Sequence, residues 1–267
     1  MDILGLGLPI TKTSYFEGAL PTPDSVGGEQ LRYWFDVTDS STVASKNLGK
    51  AVVINSLKNK STNLPYTLHF ASAVSGFTPV YKTDGSGQNG LDYSEHNGGG
   101  QSYTITDSLG TTVAVDHGDE YTFYVVQDND AASGVSGIAG GRSPNAFAFR
   151  WSGANLIQTA YNSSGTGNDS INPAGTAEEN FGVASFTVSD AANEVSARFN
   201  GEFNTPGVIS GTVVPTSNSF FIGKSNITTQ YYTGKIYEFM LFTKVLNETE
   251  LGQLDLYVQN KYNFSFA

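Results

Sequence analysis

The chain has 267 residues, no cysteine, a net charge of −11 and only 15% charged side chains. Without cysteine there are no disulfides, no thiolate metal sites and no cysteine catalysis. An acidic chain with no Lys/Arg cluster lacks the local basic surplus that nucleic acid or an anionic membrane would need in a partner.

At this length the chain can bury a large core as one domain. Aromatic residues at 12% and 30 glycines suit many short strands joined by tight turns. Residues 1–28 differ from the rest. Ile3, Leu4, Leu6, Leu8 and Ile10 are apolar around Gly5 and Gly7, and Tyr15 and Phe16 follow. Pro21, Pro23, Gly27 and Gly28 oppose a helix, so an extended arm is expected. Such an arm either packs along its own domain or docks on a neighbouring subunit or scaffold, because exposed apolar residues need a partner; plain disorder is the third reading. The run 4–10 is too short to span a membrane, and the N-terminus has no positively charged leader region, so neither membrane insertion nor classical secretion is expected.

Short strands are predicted at 51–54, 66–70 and 79–81, between Gly/Ser/Asn turns. Gly98, Gly99 and Gly100 form a loop with no strand-to-helix context for phosphate. Residues 121–126 are apolar throughout, as in a strand covered on both faces. In 146–151, Phe147, Phe149 and Trp151 fall on one face. Strands follow at 181–188 and 194–199, and Asn200-Gly201 is the pair a type I′ hairpin demands. Gly234 opens a further doubly buried strand. Asn247 and Glu250 then form a capping box, Leu246 and Leu251 a hydrophobic staple, and Leu251, Leu254, Val258 and Tyr262 one helical face. The element order predicts an all-β fold: a two-sheet antiparallel jelly-roll sandwich over 29–267, closed by one short C-terminal helix near 247–260.

Four stretches carry a resemblance to a known family. Ile222-Gly223, Gly234-x-Ile236-x-Glu238, Leu246-x-x-x-Glu250 and Lys261-Tyr262 resemble the end of laminin-G-like domains of the concanavalin A-like lectin/glucanase superfamily. Trp34-x-Asp36, followed by Asp39, Ser40, Ser41 and Thr42, resembles the opening segment of versions common in phage and environmental bacteria. Asn89-Gly90 and the Arg198-to-Glu202 hairpin agree in order. The resemblance implies a jelly roll and sugar-related roles.

Glycanases of that superfamily carry Glu-x-Asp-x-x-Glu on one strand, placing nucleophile and acid on the same face. The chain has no such spacing; Asp116, Asp119 and Glu120 merely flank His117, so no enzymatic activity is expected. His69, His96 and His117 are scattered and read as packed or surface residues. Calcium (Ca2+), which relatives often hold, would use Asp128 and Asp130 after the 121–126 strand; ordinary turn chemistry is the competing reading. Asp36 and Asp39 match the opening motif, but Asp39 with Ser40 and Ser41 can equally cap its own turn. Sugar contact needs an exposed ring with amide or carboxylate neighbours. Trp151, Tyr161, Asn162 and Tyr231 supply those types, with core or rim packing as the alternative.

The expectation is a non-enzymatic virion surface protein, a phage head decoration or tail/fibre subunit. Its arm residues Ile3, Leu4, Leu6, Leu8, Ile10, Tyr15 and Phe16 would dock on other virion proteins or on sister subunits of a homo-oligomer, and its jelly roll would serve either attachment to a cell-surface host glycan or capsid stabilisation. The alternatives are a glycan-binding lectin module of an extracellular or cell-surface bacterial protein, and a glycan-active enzyme with unfamiliar residues.

Overall fold

The computed structural model describes residues 19–48, 51–61, 67–70, 79–106, 120–130, 134–141, 148–153, 155–162, 165–171, 181–203, 207–208, 220–225 and 230–266. In chain order these form α1 (Pro23–Gly27), β1 (Leu31–Asp36), β2 (Val43–Leu48), β3 (Ala51–Lys58), β4 (Thr67–Phe70), β5 (Val80–Lys82), β6 (Tyr93–Asn97), β7 (Tyr103–Thr106), β8 (Glu120–Asn129) and β9 (Val135–Gly141). There follow β10 (Ala148–Ser152), β11 (Asn155–Asn162), β12 (Gly165–Ile171), β13 (Phe181–Ser189), β14 (Glu194–Phe199), β15 (Glu202–Phe203), β16 (Gly207–Val208), β17 (Phe220–Ile222), β18 (Thr233–Phe242) and α2 (Glu248–Tyr262).

Among the described residues every strand pairing is antiparallel. One layer runs β1-β18-β8-β13-β14, with β15 and β16 at its edge. The other runs β2-β3-β4-β7-β17-β9-β10-β11-β12. A short bridge, β3-β5-β6-β18, joins them. This is the predicted jelly-roll sandwich. Its core lies between the layers, where Phe149 of β10 sits 4.7 Å from Phe123 of β8 and 4.2 Å from Phe186 of β13.

The strands with the longest apolar runs are central. β8 and β18 pair along eight positions and are buried on both faces. Their outer faces need a cover, and α2 with the loop before it provides it: Leu246 of the loop and Leu254, Val258 and Tyr262 of the helix join Tyr124, Val126, Met240 and Phe242 in a second apolar cluster. Gly234 opens β18 at φ +135, and a Cβ there would lie 2.2 Å from the Asp128 carbonyl oxygen, so only glycine fits.

The segment before β1 departs from expectation. Residues 23–27 form a helix, because Pro23 occupies the first turn, where its missing N–H would have no partner, and Thr22 and Ser25 make a capping box. Val26 is buried in the second cluster, and Gly27 lies against the Phe242 ring. Residues 23–27 are therefore helical rather than extended, and they pack on the domain, one of the placements expected for this segment. Ile3, Leu4, Leu6, Leu8, Ile10, Tyr15 and Phe16 lie outside the described residues.

The free edge of β1 is closed by side chains that imitate a strand. Asn59 Oδ1 accepts from the Trp34 N–H at 2.8 Å, and Asn59 Nδ2 donates to the Arg32 carbonyl at 2.9 Å. Lys60 N–H donates to the Trp34 carbonyl at 2.8 Å, so the edge offers little for another chain to pair with.

Candidate functional site

The outer face of β13 and β14 is polar where the inner face is apolar. Ala184, Phe186 and Val188 enter the core, so Ser185, Thr187 and Ser189 point outward. Register extends each into a row: Glu120–Ser189–Glu194, Thr122–Thr187–Ser196 and Tyr124–Ser185–Arg198. Hydroxyls fill the middle, carboxylates one end, and a tyrosine–arginine pair the other.

α2 and the loop before it stand beside this floor as a wall. Between them lies a groove of about 650 Å³, floored by Ser185, Thr187, Ser189, Ser196 and Arg198 and walled by Val245, Leu246 and Leu251, with Glu194, Asn247 and Glu248 also lining it. That volume is ordinary for a small-ligand site. A hydroxyl-rich floor opposite an aliphatic wall suits a ligand with polar edges and an apolar face.

The wall is held at both ends. Thr122 Oγ1 accepts from the Leu246 N–H at 3.0 Å and donates to the Lys244 carbonyl at 2.9 Å. Asn247 and Glu250 cap α2 reciprocally, as predicted. Beneath the helix, Asp255 accepts from Tyr124 Oη at 2.9 Å and from both terminal nitrogens of Arg198. Burial, reinforced by the Asp255 charge, raises the Tyr124 pKa well above its ordinary value, which keeps the phenol a donor.

At the far end of α2, the residues of the resemblance converge. Lys261 Nζ donates to Asp36 Oδ2 at 2.9 Å and Glu238 Oε1 at 2.7 Å. Glu238 is fully buried and also accepts from Trp34 Nε1 and from the Tyr257 and Tyr262 hydroxyls. Lys60 Nζ donates to Asp36 Oδ2 at 2.8 Å and lies 4.4 Å from the Trp34 ring centre. Burial acts to raise the Asp36 pKa, but the two ammonium groups outweigh it and hold the carboxyl below its usual range. Burial, aided by the Asp36 charge, pushes Glu238 up while Lys261 and Trp34 pull it back. Asp36 and Asp39 also bond Thr38 and Ser41 two residues on, which for Asp39 is the expected turn capping. This network anchors the helix; its acceptors are taken by the chain's own donors.

The sequence candidates do not meet in the groove. Trp151 is 0% exposed, in edge-to-face contact with Phe199 at 5.1 Å. The alternation that put it on one face with Phe149 aimed that face at the core, so no sugar reaches its ring. Tyr161 and Asn162 lie on β11; their side chains fall outside the described residues. Tyr231 is half-buried, with Lys224 Nζ 5.3 Å from its ring centre and 5.0 Å from that of Phe221. Asp128, at the end of β8 away from Glu120, is ion-paired to Lys235 at 2.6 Å, and Asp130 is exposed beside it. Among the described residues no three His, Cys, Asp or Glu side chains group as metal ligands. His96 is packed, bonded to Ser94 at 3.0 Å, and burial pushes its pKa down to about 4. The groove residues had a visible signal, the alternation Ser185-x-Thr187-x-Ser189 beside Ser196-x-Arg198, but any solvated sheet face has the same pattern.

Similarity to known proteins agrees with this architecture. Residues 97–252 match a laminin-G family described as the Concanavalin A-like lectin/glucanases superfamily. No curated protein matches the chain in sequence. Among solved structures, domain 4 of AbnA, a GH43 extracellular arabinanase from Geobacillus stearothermophilus, in complex with arabinotriose, is similar at TM-score 0.54 and 16% identity, covering 85% of this chain and 98% of that one. The binding domain of Paraclostridial Mosquitocidal Protein 1 is similar at TM-score 0.53 and 12% identity, covering 82% of this chain and 52% of that one. The receptor-binding domain of botulinum neurotoxin mosaic serotype C/D is similar at TM-score 0.53 and 10% identity, covering 82% and 51%. The chain thus spans about half of each toxin domain. With more than half of its length inside the family match and the jelly roll complete around it, the chain belongs to the concanavalin A-like lectin/glucanase superfamily.

Proposed function

We propose that this is a glycan-binding, non-enzymatic lectin-like domain whose site is the groove between α2 and the outer face of β13 and β14. The observation that carries it is the hydroxyl grid facing an aliphatic wall in a groove of about 650 Å³. Sugar hydroxyls find donors and acceptors on the floor, and the C–H face of the ring finds Leu246 and Leu251. The arabinotriose in the AbnA domain is support from a fold relative. A general acid needs a sheltered carboxyl with a raised pKa; Glu194 and Glu248, which line the groove, are exposed, which favours binding over hydrolysis. No cofactor is called for, and calcium would have to compete with Lys235 for Asp128.

For setting, we favour display on a virion surface, in a homo-oligomer or on other particle proteins, with an extracellular bacterial lectin as the other setting. Its support is the phage-like Trp34-to-Thr42 stretch and the apolar residues between Ile3 and Phe16. Individual contacts of this kind contribute on the order of 1 kcal/mol, so useful affinity would come from many copies.

The test is a glycan array followed by calorimetry, with calcium and with chelator, on wild type, Ser196→Tyr and Tyr231→Ala. Loss of binding in Ser196→Tyr, which fills the groove, supports the site. Binding that survives Ser196→Tyr but is lost in Tyr231→Ala would move it to the other layer, and sugar release from the bound glycans would make the protein an enzyme. Particle proteomics decides the setting.

A further inference from the structure

We propose that the groove selects saccharides without an anionic group, and that Glu194 and Glu248 are the residues that exclude acidic sugars. This rests on the glycan reading and concerns which sugars it admits. Among the described residues lining the groove, the charged ones are Arg198, Glu194 and Glu248. Arg198 is the cation an acidic sugar would seek, but its guanidinium is engaged by Asp255 through both terminal nitrogens. Capturing a sugar carboxylate would leave Asp255, itself 6% exposed beneath α2, without its cation, and a buried unpaired charge is strongly disfavoured. Lys244, on the loop that leads into the wall, is held by Glu250 at 2.6 Å.

The start of α2 would otherwise attract anions through its free amides and dipole. Here the chain's own groups occupy that role. Asn247 Oδ1 accepts from the Glu250 N–H, Glu250 Oε2 accepts from the Asn247 N–H, and Glu248 adds a second carboxylate to the first turn. At the other end of the floor, register places Glu120 and Glu194 on either side of Ser189, whose hydroxyl donates to Glu120 at 3.2 Å. An incoming sialate or uronate would therefore meet carboxylates at the rim and no uncommitted cation on the floor. A neutral or amino-bearing sugar would find acceptors in the same places, because a carboxylate accepts hydrogen bonds from hydroxyl or ammonium groups.

Calorimetry on the full chain with matched ligands tests this: lactose against sialyllactose, a neutral xylo-oligosaccharide against an oligogalacturonate, and a chitosan oligomer. The proteins are wild type, Glu194→Gln/Glu248→Gln and Glu194→Lys/Glu248→Lys, each checked for an unchanged circular dichroism spectrum. Wild type should bind at least one neutral or amino sugar, and bind it at least tenfold more tightly than its acidic counterpart at low salt. That ratio should shrink in the glutamine variant and fall further or reverse in the lysine variant. A wild type that binds neutral and acidic partners equally, or prefers the acidic one, overturns the selectivity and leaves the glycan site standing. A ratio that the substitutions do not move assigns selectivity to other residues and also overturns the proposal. No binding to any ligand removes the glycan reading, and this inference with it.

Discussion

Asp36 and Glu238 are direct cross-strand partners on β1 and β18, and the single ammonium of Lys261 touches both carboxylates, at 2.9 and 2.7 Å. Two buried like charges on neighbouring strands would push the pair apart. A cation delivered by α2 reverses the sign, so the helix and the β1–β18 pairing depend on each other. Four donor groups converge on Glu238, from Trp34, Tyr257, Lys261 and Tyr262. A carboxylate so saturated orients a helix.

Replacing Lys261 by Met should therefore cost about 3–5 kcal/mol, because it leaves the buried Glu238 without a cation and Asp36 with Lys60 alone. Equilibrium urea unfolding measures this. The double variant Lys261→Met/Glu238→Gln should lose less than the sum of the singles, since the charge left unpaired is gone. A strictly additive pair would mean that Lys261 and Glu238 are not coupled.

Stability should depend on pH through His96. Its folded pKa, about 4, lies below the ordinary histidine value because burial disfavours the imidazolium. Between about 6.5 and 4 the unfolded chain binds a proton that the folded chain does not, so stability falls as pH falls across that window. The loss is roughly 3 kcal/mol, at about 1.36 kcal/mol per pH unit. Asp36 acts in the same direction lower down: its pKa is lowered, so its contribution is present above about 4 and is lost as pH falls through the folded value. His96→Phe should flatten the limb between 6.5 and 4 in denaturant titrations and leave the one below 4.

Trp151 separates core from ligand. Trp151→Ala should cost about 3–5 kcal/mol, measured by thermal and urea unfolding. Trp151→Phe should stay folded and bind glycan like wild type, because the indole is 0% exposed between the layers. Reduced affinity with unchanged stability would return this residue to the site.

Truncation should distinguish two segments near the N-terminus. Removing residues 1–18 gives the reference protein, with α1 intact. Removing 1–28 also deletes α1 and Val26, and should cost on the order of 1.5–3 kcal/mol from the lost apolar burial. Equal stability of the two truncations would show that α1 contributes nothing to the domain.

Local chemistry made much of the fold legible. The apolar runs at β8 and β18, the Asn247–Glu250 box and the Asn200-Gly201 turn each act over a few residues, and each was found where periodicity and capping put it. Asn200 and Gly201 both adopt the positive φ that a type I′ turn requires. The α1 helix is hidden in the sequence because proline and glycine break helices in general, whereas their position here, first turn and C-terminal flank, is where a helix accepts them.

Sequence by itself determined the fold class, the doubly buried centre and the closing helix, since these follow from short-range pattern and burial. Only the tertiary structure decided the groove. Ser189, Glu120 and Glu194 are neighbours solely because β13 pairs with both β8 and β14 in one register, a relationship set by side chains up to 74 positions apart, 120 to 194. Tertiary structure also decided that Trp151 faces inward and that Arg198 is engaged by Asp255. Alternation along one strand states which residues share a face, but the layer packed against that face determines whether it meets solvent.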